Sequence, residues 1–303
     1  MIRSVVLVLL SCVVMLGCSR RPPVPPSSSA PRVVVLSPAL AITMHDLGMA
    51  HLIVGRHAWD TVTDPSVPIC GDQSGLDYET LLRVNPTHVL TQWGTRELPA
   101  RLSEYAQSRD WQLKDFRLLE LREISQCADD LVALFGSEID TAQCRFDPSR
   151  SISTQINERF ARIESIESTD TTLLLASIEP IAAFGPGSWH AQLLESLGGR
   201  SAIIDGSAYI TLDLEDVIRR LPQQIVLFAP RSSDAPQVER SIEDTLAMLG
   251  AMADHDSIPA IASRRVAIID HPHALTPSTA MVDVADELRA LLIEWDAAHT
   301  GLK

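Results

Sequence analysis

The sequence predicts an α/β protein of two Rossmann-like parallel-sheet lobes, joined by a single long helix and facing each other across a ligand cleft. Three observations carry that expectation. First, residues 76–90 (LDYETLLRVNPTHVL) recur as residues 212–226 (LDLEDVIRRLPQQIV), with five positions identical at an offset of 136. Each copy reads as a short helix with Asp at the N-cap and Glu in the first turn, stopped near a proline and followed by a run suited to a buried parallel strand. Second, Leu47-Gly48 precedes Ile53-Val54 as Leu197-Gly198 precedes Ile203-Ile204. Third, strand-like and helix-like segments alternate in both halves, as they do where helices cover parallel sheets.

Taken in order, the first half opens with a strand at 33–36, a helical stretch to Leu47-Gly48 and a short strand at 53–54. After the first repeat copy come a helix at 99–107 and another at 124–135, capped by Gly136. The second half opens with a strand at 172–175, a helix at 190–197 and a strand at 202–204; after the second copy it closes with a strand at 265–269 and a helix at 281–295. Between the halves, Ile152, Ile156, Phe160, Ile163 and Ile166 step by four, four, three and three, an apolar stripe along one helix, with Glu158 and Arg162 as an i,i+4 pair on another face. About 18 helical residues span roughly 27 Å, enough to bridge two lobes. A lone helix is stiffer than crossing strands, so the lobes are expected to close only slightly. The predicted boundaries are a first lobe at 32–148, the linking helix at 149–168 and a second lobe at 169–303.

Residues 1–18 read as an export signal: Arg3, an apolar run too short for a bilayer core that needs about 20 residues, then Gly17-Cys18. Met15-Leu16-Gly17-Cys18 resembles a bacterial lipobox, with Met where Leu is commonest, and makes Cys18 the lipidation site; a conventional cleavable signal is the alternative. Lipidation anchors a protein to the bacterial membrane without making it span the membrane, which places the folded part in the periplasm or at the cell surface. Residues 19–31, crowded with Pro and Ser, read as an extended tether. Losing Arg3 moves the formal charge from −14 to −15, which disfavours nucleic acid and anionic lipid as partners. Lysine occurs only at 114 and 303, neither after a Gly-rich turn, so the chain carries no ATP-binding P-loop of its own. Of the remaining cysteines, Cys127 and Cys144 suit a disulfide around a modest loop and leave Cys70 free, although spacing alone does not fix the pairing.

Open parallel sheets bind ligands beyond the carboxyl ends of their strands. There the sequence places Ser37-Pro38, His57 through Asp60, Gln92-Trp93-Gly94, Gly185 through His190, Tyr209, Ala229-Pro230-Arg231 and His271-Pro272-His273. Three of the five tryptophans, Trp59, Trp93 and Trp189, lie in these loops and suit a bulky planar ligand, with sealing of each loop onto its own lobe as the competing role.

From about Arg32 to Leu292 the chain resembles the helix-linked periplasmic binding proteins that serve ABC importers of vitamin B12, haem and ferric siderophores. The resemblance rests on RVVVLSP at 32–38, on Leu47-Gly48 followed by Ile53-Val54-Gly55-Arg56, on the two proline-strand pairs, on 189–199, and on Ile258-Pro259-Ala260-Ile261 ahead of 265–270. Val54-Gly55-Arg56 and Val89-Leu90-Thr91-Gln92 look most like the cobalamin branch. The chain departs from that branch at Trp93-Gly94-Thr95 and at Arg231-Ser232-Ser233. The resemblance implies a monomeric capture protein with no cofactor of its own. Its ligand would be a corrinoid or another large metal chelate, a ferric siderophore or haem among them. Ser37, Pro38, Trp59, Trp93, Gly94, Trp189, Tyr209, His271 and His273 would surround that ligand. Glu97 and Glu239 would present one carboxylate per lobe to a permease, whose ATPase subunits supply the energy.

His271 and His273 are the alternative metal ligands, although paired histidines in a loop more often serve as hydrogen-bonding groups. Asp254-His255-Asp256 reads as a solvated helix end. Catalysis has thinner support: no GxSxG or HExxH occurs, and Asp60 and Asp64 fall where aspartates make turns. An exported hydrolase and a non-transport envelope lipoprotein are the readings from other classes. The expectation is a binding protein, not an enzyme.

Overall fold

A computed structural model describes residues 30–299 apart from 73, 95, 167 and 239. The export signal, Cys18 and nearly all of the tether lie outside the described residues, as does Glu239. The first sheet is wholly parallel, in the order β3-β2-β1-β4-β5, from β1 (Val33–Leu36), β2 (Ile53–His57), β3 (Ile69–Gly71), β4 (His88–Thr91) and β5 (Gln112–Asp115). Its helices are α1 (Pro38–Asp46) after β1, α2 (Tyr78–Val84), α3 (Ala100–Arg109) and α4 (Leu121–Phe135); α5 (Ile152–Arg159) lies in the connector. The second sheet runs β11-β10-β6-β7-β9, from β6 (Thr171–Ile178), β7 (Ile181–Phe184), β9 (Tyr209–Thr211), β10 (Gln224–Phe228) and β11 (Val266–Ile269), with β8 (Arg200–Ser201) beside the start of β6. Its helices are α6 (Trp189–Leu197), α7 (Leu214–Arg220), α8 (Ile242–Met248), α9 (Pro259–Ala262) and α10 (Met281–His299). No described helix is long and apolar enough to cross a membrane.

The sequence repeat is a structural repeat. Asp77 caps α2 by accepting from the Thr80 amide at 3.0 Å, and Asp213 caps α7 by accepting from the Asp216 amide at 2.7 Å. Both helices stop on a left-handed residue at the same repeat position, Asn85 (φ 44°) and Leu221 (φ 48°), one residue before the proline. A leucine pays roughly 1–2 kcal/mol for that conformation, so the turn is kept by the surrounding fold rather than by residue preference. The strands that come next, β4 and β10, each pair in parallel with the first long strand of their lobe.

Alternating strand residues divide the interior into three cores. Val34, Leu36 and Val89 face outward onto α2 and α3, and Leu173, Leu175, Ile225 and Leu227 face the outer helices of the second sheet. Val33, Val35 and Leu90 of the first sheet and Leu174, Val226, Phe228 and Ile269 of the second face a single cluster between the sheets. That cluster is filled by α1, α4, α5, α6 and α10, through Leu40, Met44, Leu131, Phe135, Ile156, Leu193, Leu194, Leu288 and Trp295. One helical layer thus serves as the inner core of both lobes.

Four details differ from the sequence expectation. The second sheet is mixed, because Glu179-Pro180 turns β6 back into β7 and β9 then pairs antiparallel with β7. The strand expected at 202–204 is not formed: β8 stops at Ser201, since β7 takes that edge of β6 from Leu175 onward. The linking helix has eight residues, not about 18. It ends at Arg159 because the chain turns so that the Ile163 amide reaches Leu197 O at 3.0 Å, and Phe160 and Ile163 stay buried from the turn. Gly136 stays right-handed (φ −59°) and opens a short 3-10 turn instead of a left-handed cap.

The three cysteines among the described residues are free: Cys127 points from α4 into the shared core, whereas Cys144 packs on the Leu47-Gly48 turn, so no disulfide joins them. Burial pushes the Cys127 thiol well up, and that of Cys70 to about 12.

Two substitutions check this architecture. Leu288→Ala, in the shared layer, is expected to cost about 2–5 kcal/mol and to lower the melting of both lobes as one calorimetric transition; two separated transitions would contradict it. Asp77→Ala and Asp213→Ala should each cost about 1 kcal/mol in urea unfolding, because each removes an equivalent cap.

Candidate interlobe binding site

The carboxyl ends of β1 and β2 meet the loop after β11 across a hollow of about 190 Å³. Pro38, Ile42, Trp59, Asp60 and Thr61 line it from the first lobe, and Pro272, His273 and Thr276 from the second. Each wall is built from local hydrogen bonding. Ser37 caps α1 by accepting from the Leu40 amide at 3.3 Å, and its hydroxyl donates to Gln92 Oε1 at 2.6 Å, tying the end of β1 to the end of β4. Pro38 then occupies the first helical position, where its missing N–H costs nothing.

The loop after β2 is pinned at several points. His57 Nδ1 accepts from the Trp59 amide at 3.0 Å, and Asp60 Oδ1 accepts from the Val62 and Thr63 amides at 2.9 and 3.1 Å. Arg56 donates to the carbonyls of Val67 at 2.9 Å and Asp60 at 3.2 Å. The result is a stiff loop that presents the Trp59 indole with 74% of its surface exposed. Asp60 Oδ2 is buried and has no hydrogen-bond partner among the described residues.

The opposite wall is held as firmly. Buried Asp270, at the end of β11, pairs with Arg231 at 3.2 Å and Arg240 at 2.6 Å. His271 Nδ1 accepts from the His273 amide at 3.2 Å, and its Nε2 lies 3.4 Å from Asp283 Oδ2 on α10. Burial would raise the Asp283 carboxyl, but hydrogen bonds from His271 and Arg145 override it and hold the group at about 2. Arg145, from the first half of the chain, makes a bidentate pair with Asp283 and also lies 3.6 Å from Asp46 on α1. The Thr279 hydroxyl donates to that same Asp46 at 2.5 Å. A polar seam therefore crosses between the lobes directly behind the hollow.

His273 is half-buried in the hollow, and its ring takes no hydrogen bond from the described residues. Burial chiefly, and neighbouring His271 after it, lower its pKa against the pull of Asp46 and Asp60, so the imidazole is neutral at pH 7. The described residues contain no group of three His, Cys, Asp or Glu side chains able to hold a metal ion by themselves.

The other residues singled out by sequence lie elsewhere. The Trp93 amide donates to Asp115 Oδ1 at 2.8 Å, at the ends of β4 and β5, and Arg96 sits 5.6 Å over its ring. Gly94 beside it has φ +71° and open space around it, and Glu97 is exposed on the same loop. Trp189, in the first turn of α6, packs on the shared core with its Nε1 buried and without a hydrogen-bond partner among the described residues. Tyr209 is on the edge strand β9, 5.8 Å edge-on from Phe184. The hollow thus gathers Pro38, Trp59 and His273, with Ser37 and His271 directly behind its walls. Sequence reasoning missed Ile42, Thr61 and Thr276 as lining residues. Ile42 is one helical turn beyond Pro38 and was within reach of a periodicity argument, but nothing local marks Thr276.

No protein-family model matches the sequence, and no curated protein matches it. Solved structures do match in three dimensions. The periplasmic heme-binding protein HutB of Vibrio cholerae is 19% identical, with TM-score 0.64 over 87% of this chain and 99% of its own. The periplasmic heme-binding protein RhuT from Roseiflexus sp. RS-1 is 18% identical, with TM-score 0.63 over 88% of this chain and 100% of its own. The periplasmic vitamin B12 binding protein BtuF of Vibrio cholerae is 14% identical, with TM-score 0.62 over 87% and 96%. The chain has the fold of the helix-linked periplasmic solute-binding proteins. In this solute-binding fold the connector is the short α5 and its following turn, seated on a helical layer that both lobes share.

His190 supplies a pH test of the second wall. Its Nε2 donates to Ala274 O at 2.7 Å while its ring stacks 3.8 Å from Phe184, and burial lowers its pKa to about 4 despite that hydrogen bond. Between pH 6.5 and about 4 the unfolded chain takes up a proton that the folded chain refuses, so stability should fall on acidification through that window, by at most about 3 kcal/mol. His190→Gln, which keeps a donor for Ala274, should flatten this part of the curve of urea-unfolding free energy against pH; an unchanged slope would contradict the assignment.

Proposed function

We propose that the protein is the lipid-anchored capture component of an ABC importer, taking up a corrinoid or another large metal chelate and delivering it to the permease. The observation that carries this reading is the hollow itself, where rigid loops from the strand ends of both lobes present Trp59 and Pro38 opposite Pro272 and His273. The chain's fold is shared with proteins described as binding heme and vitamin B12. At about 190 Å³ the hollow is smaller than the roughly 300–1,000 Å³ of pockets that enclose a small molecule. It therefore grips one edge of the guest. Cys18 would carry the lipid, and Glu97 with Glu239 would meet the permease.

A second reading, haem, draws on one feature. The neutral imidazole of His273 in the hollow offers a nitrogen lone pair to a ferric centre.

The test is a titration of the chain lacking residues 1–18 with cyanocobalamin, haemin and a ferric hydroxamate, followed by tryptophan emission and melting temperature. One of the three is expected to quench the emission and raise the melting temperature, and Trp59→Ala should weaken it by about 1–3 kcal/mol. Failure of all three removes the ligand assignment. If haemin is the guest, His273→Ala should shift its Soret band, and binding should weaken as acidification protonates the imidazole; corrinoid binding should show neither effect.

A further inference from the structure

A hollow of about 640 Å³ lies away from the face between the lobes. It opens on the second lobe at the starts of β6 and β8, the opposite ends of these strands from the interlobe face. It lies where the chain leaves the sheet after Ser201 and Ile204 is turned out with 83% of its surface exposed. Ala202, Ile204 and Pro186 give it an apolar side, and Arg200 and Arg220 give it two guanidinium groups.

Arg220 is the informative residue. Its neighbour Arg219 is paired with Asp216 at 2.9 Å, on the outside of α7. Arg220 turns inward instead: its Nε is buried with no hydrogen-bond partner among the described residues. The nearest carboxylate, Asp205, is 3.8 Å from its terminal nitrogen and largely in solvent. A buried charged donor without an acceptor is costly, and a ligand oxygen would relieve it. Among the described residues, Arg200 donates to the Thr169 carbonyl, at 3.4 Å. Glu195 on the same wall opposes a second negative charge. The overall charge of −14 discourages anions generally, so any anion held here is held by local geometry.

We propose that this hollow is a second ligand site, for a small organic monocarboxylate with a compact hydrocarbon tail. Arg220 and Arg200 take the carboxylate, and Ile204, Ala202 and Pro186 take the tail. The volume falls within the range of pockets for small molecules. The site is separate from the interlobe hollow and does not depend on what fills it.

The test uses calorimetric titration of the chain lacking residues 1–18 with 3-methylbutanoate, inorganic phosphate and leucine. Wild type is expected to bind 3-methylbutanoate, with at least tenfold weaker binding in Arg220→Gln and in Ile204→Asp. Ile204 is exposed, so Ile204→Asp should keep the wild-type melting temperature while placing a repelling carboxylate against the ligand. No binding of 3-methylbutanoate, or equal binding in a folded Ile204→Asp variant, would overturn the proposal. So would phosphate binding with 3-methylbutanoate ignored, or leucine binding more tightly than 3-methylbutanoate, since a zwitterion would then be using Glu195.

Discussion

The structure depends on one constraint: the inner faces of two sheets are buried against the same layer of helices. An isolated α/β lobe would need its own helices on both faces of its sheet. Here α1 and α4 from the first half of the chain, α6 and α10 from the second, and α5 between them fill one apolar cluster that reaches β1 and β4 on one side and β6, β10 and β11 on the other. Moving the lobes apart as rigid bodies would expose part of that cluster, at about 25 cal/mol for each Å² of apolar surface. The stiffness anticipated from a long linking rod therefore has another source. The rod is short, and the shared core takes its place.

Polar contacts fix how the layer sits. Asp283 and Asp286 are one turn apart on α10 and are held by Arg145 and Arg159, which come from the chain before the second sheet. Arg289, in the next turn, donates to the carbonyls of Arg159 and Ala161 at 2.8 Å. Exposed ion pairs are worth little singly. Their role here is registry: they set which turn of α10 faces the connector, and through Asp283 and His271 they set the loop that forms one wall of the hollow. The hollow is thus a consequence of the packing, with strand ends aiming the loops and the seam behind them fixing their separation.

Much of this architecture was legible because it is local. The Asp caps at 77 and 213, the prolines at 86 and 222 and the apolar runs after them act within a few residues, so the repeat could be read directly and its helices and strands lie where they were expected. The parts that were not legible depend on distant partners. The stripe from Ile152 to Ile166 has helical spacing, yet the helix gives way at Arg159 because Ile163 bonds to Leu197 in the other half of the chain. The edge of β6 is divided between β8 and β7, a competition that no single segment reveals. At the site, Trp59 and His273 are legible because each stands just past the carboxyl end of a strand, whereas Thr276 reaches the hollow only through the path of its loop. Trp93 and Trp189 obey the same strand-end rule, but one is stationed at the β4-β5 end and the other is packed on the shared core.

The most direct test is native-state hydrogen exchange in low denaturant, comparing amides of 89–91 in β4 with those of 225–227 in β10. A shared core predicts that both sets open with the same free energy and the same denaturant slope, as one cooperative unit. If either strand exchanged through an opening well below the global unfolding free energy, the lobes would be independent units and the account would be contradicted.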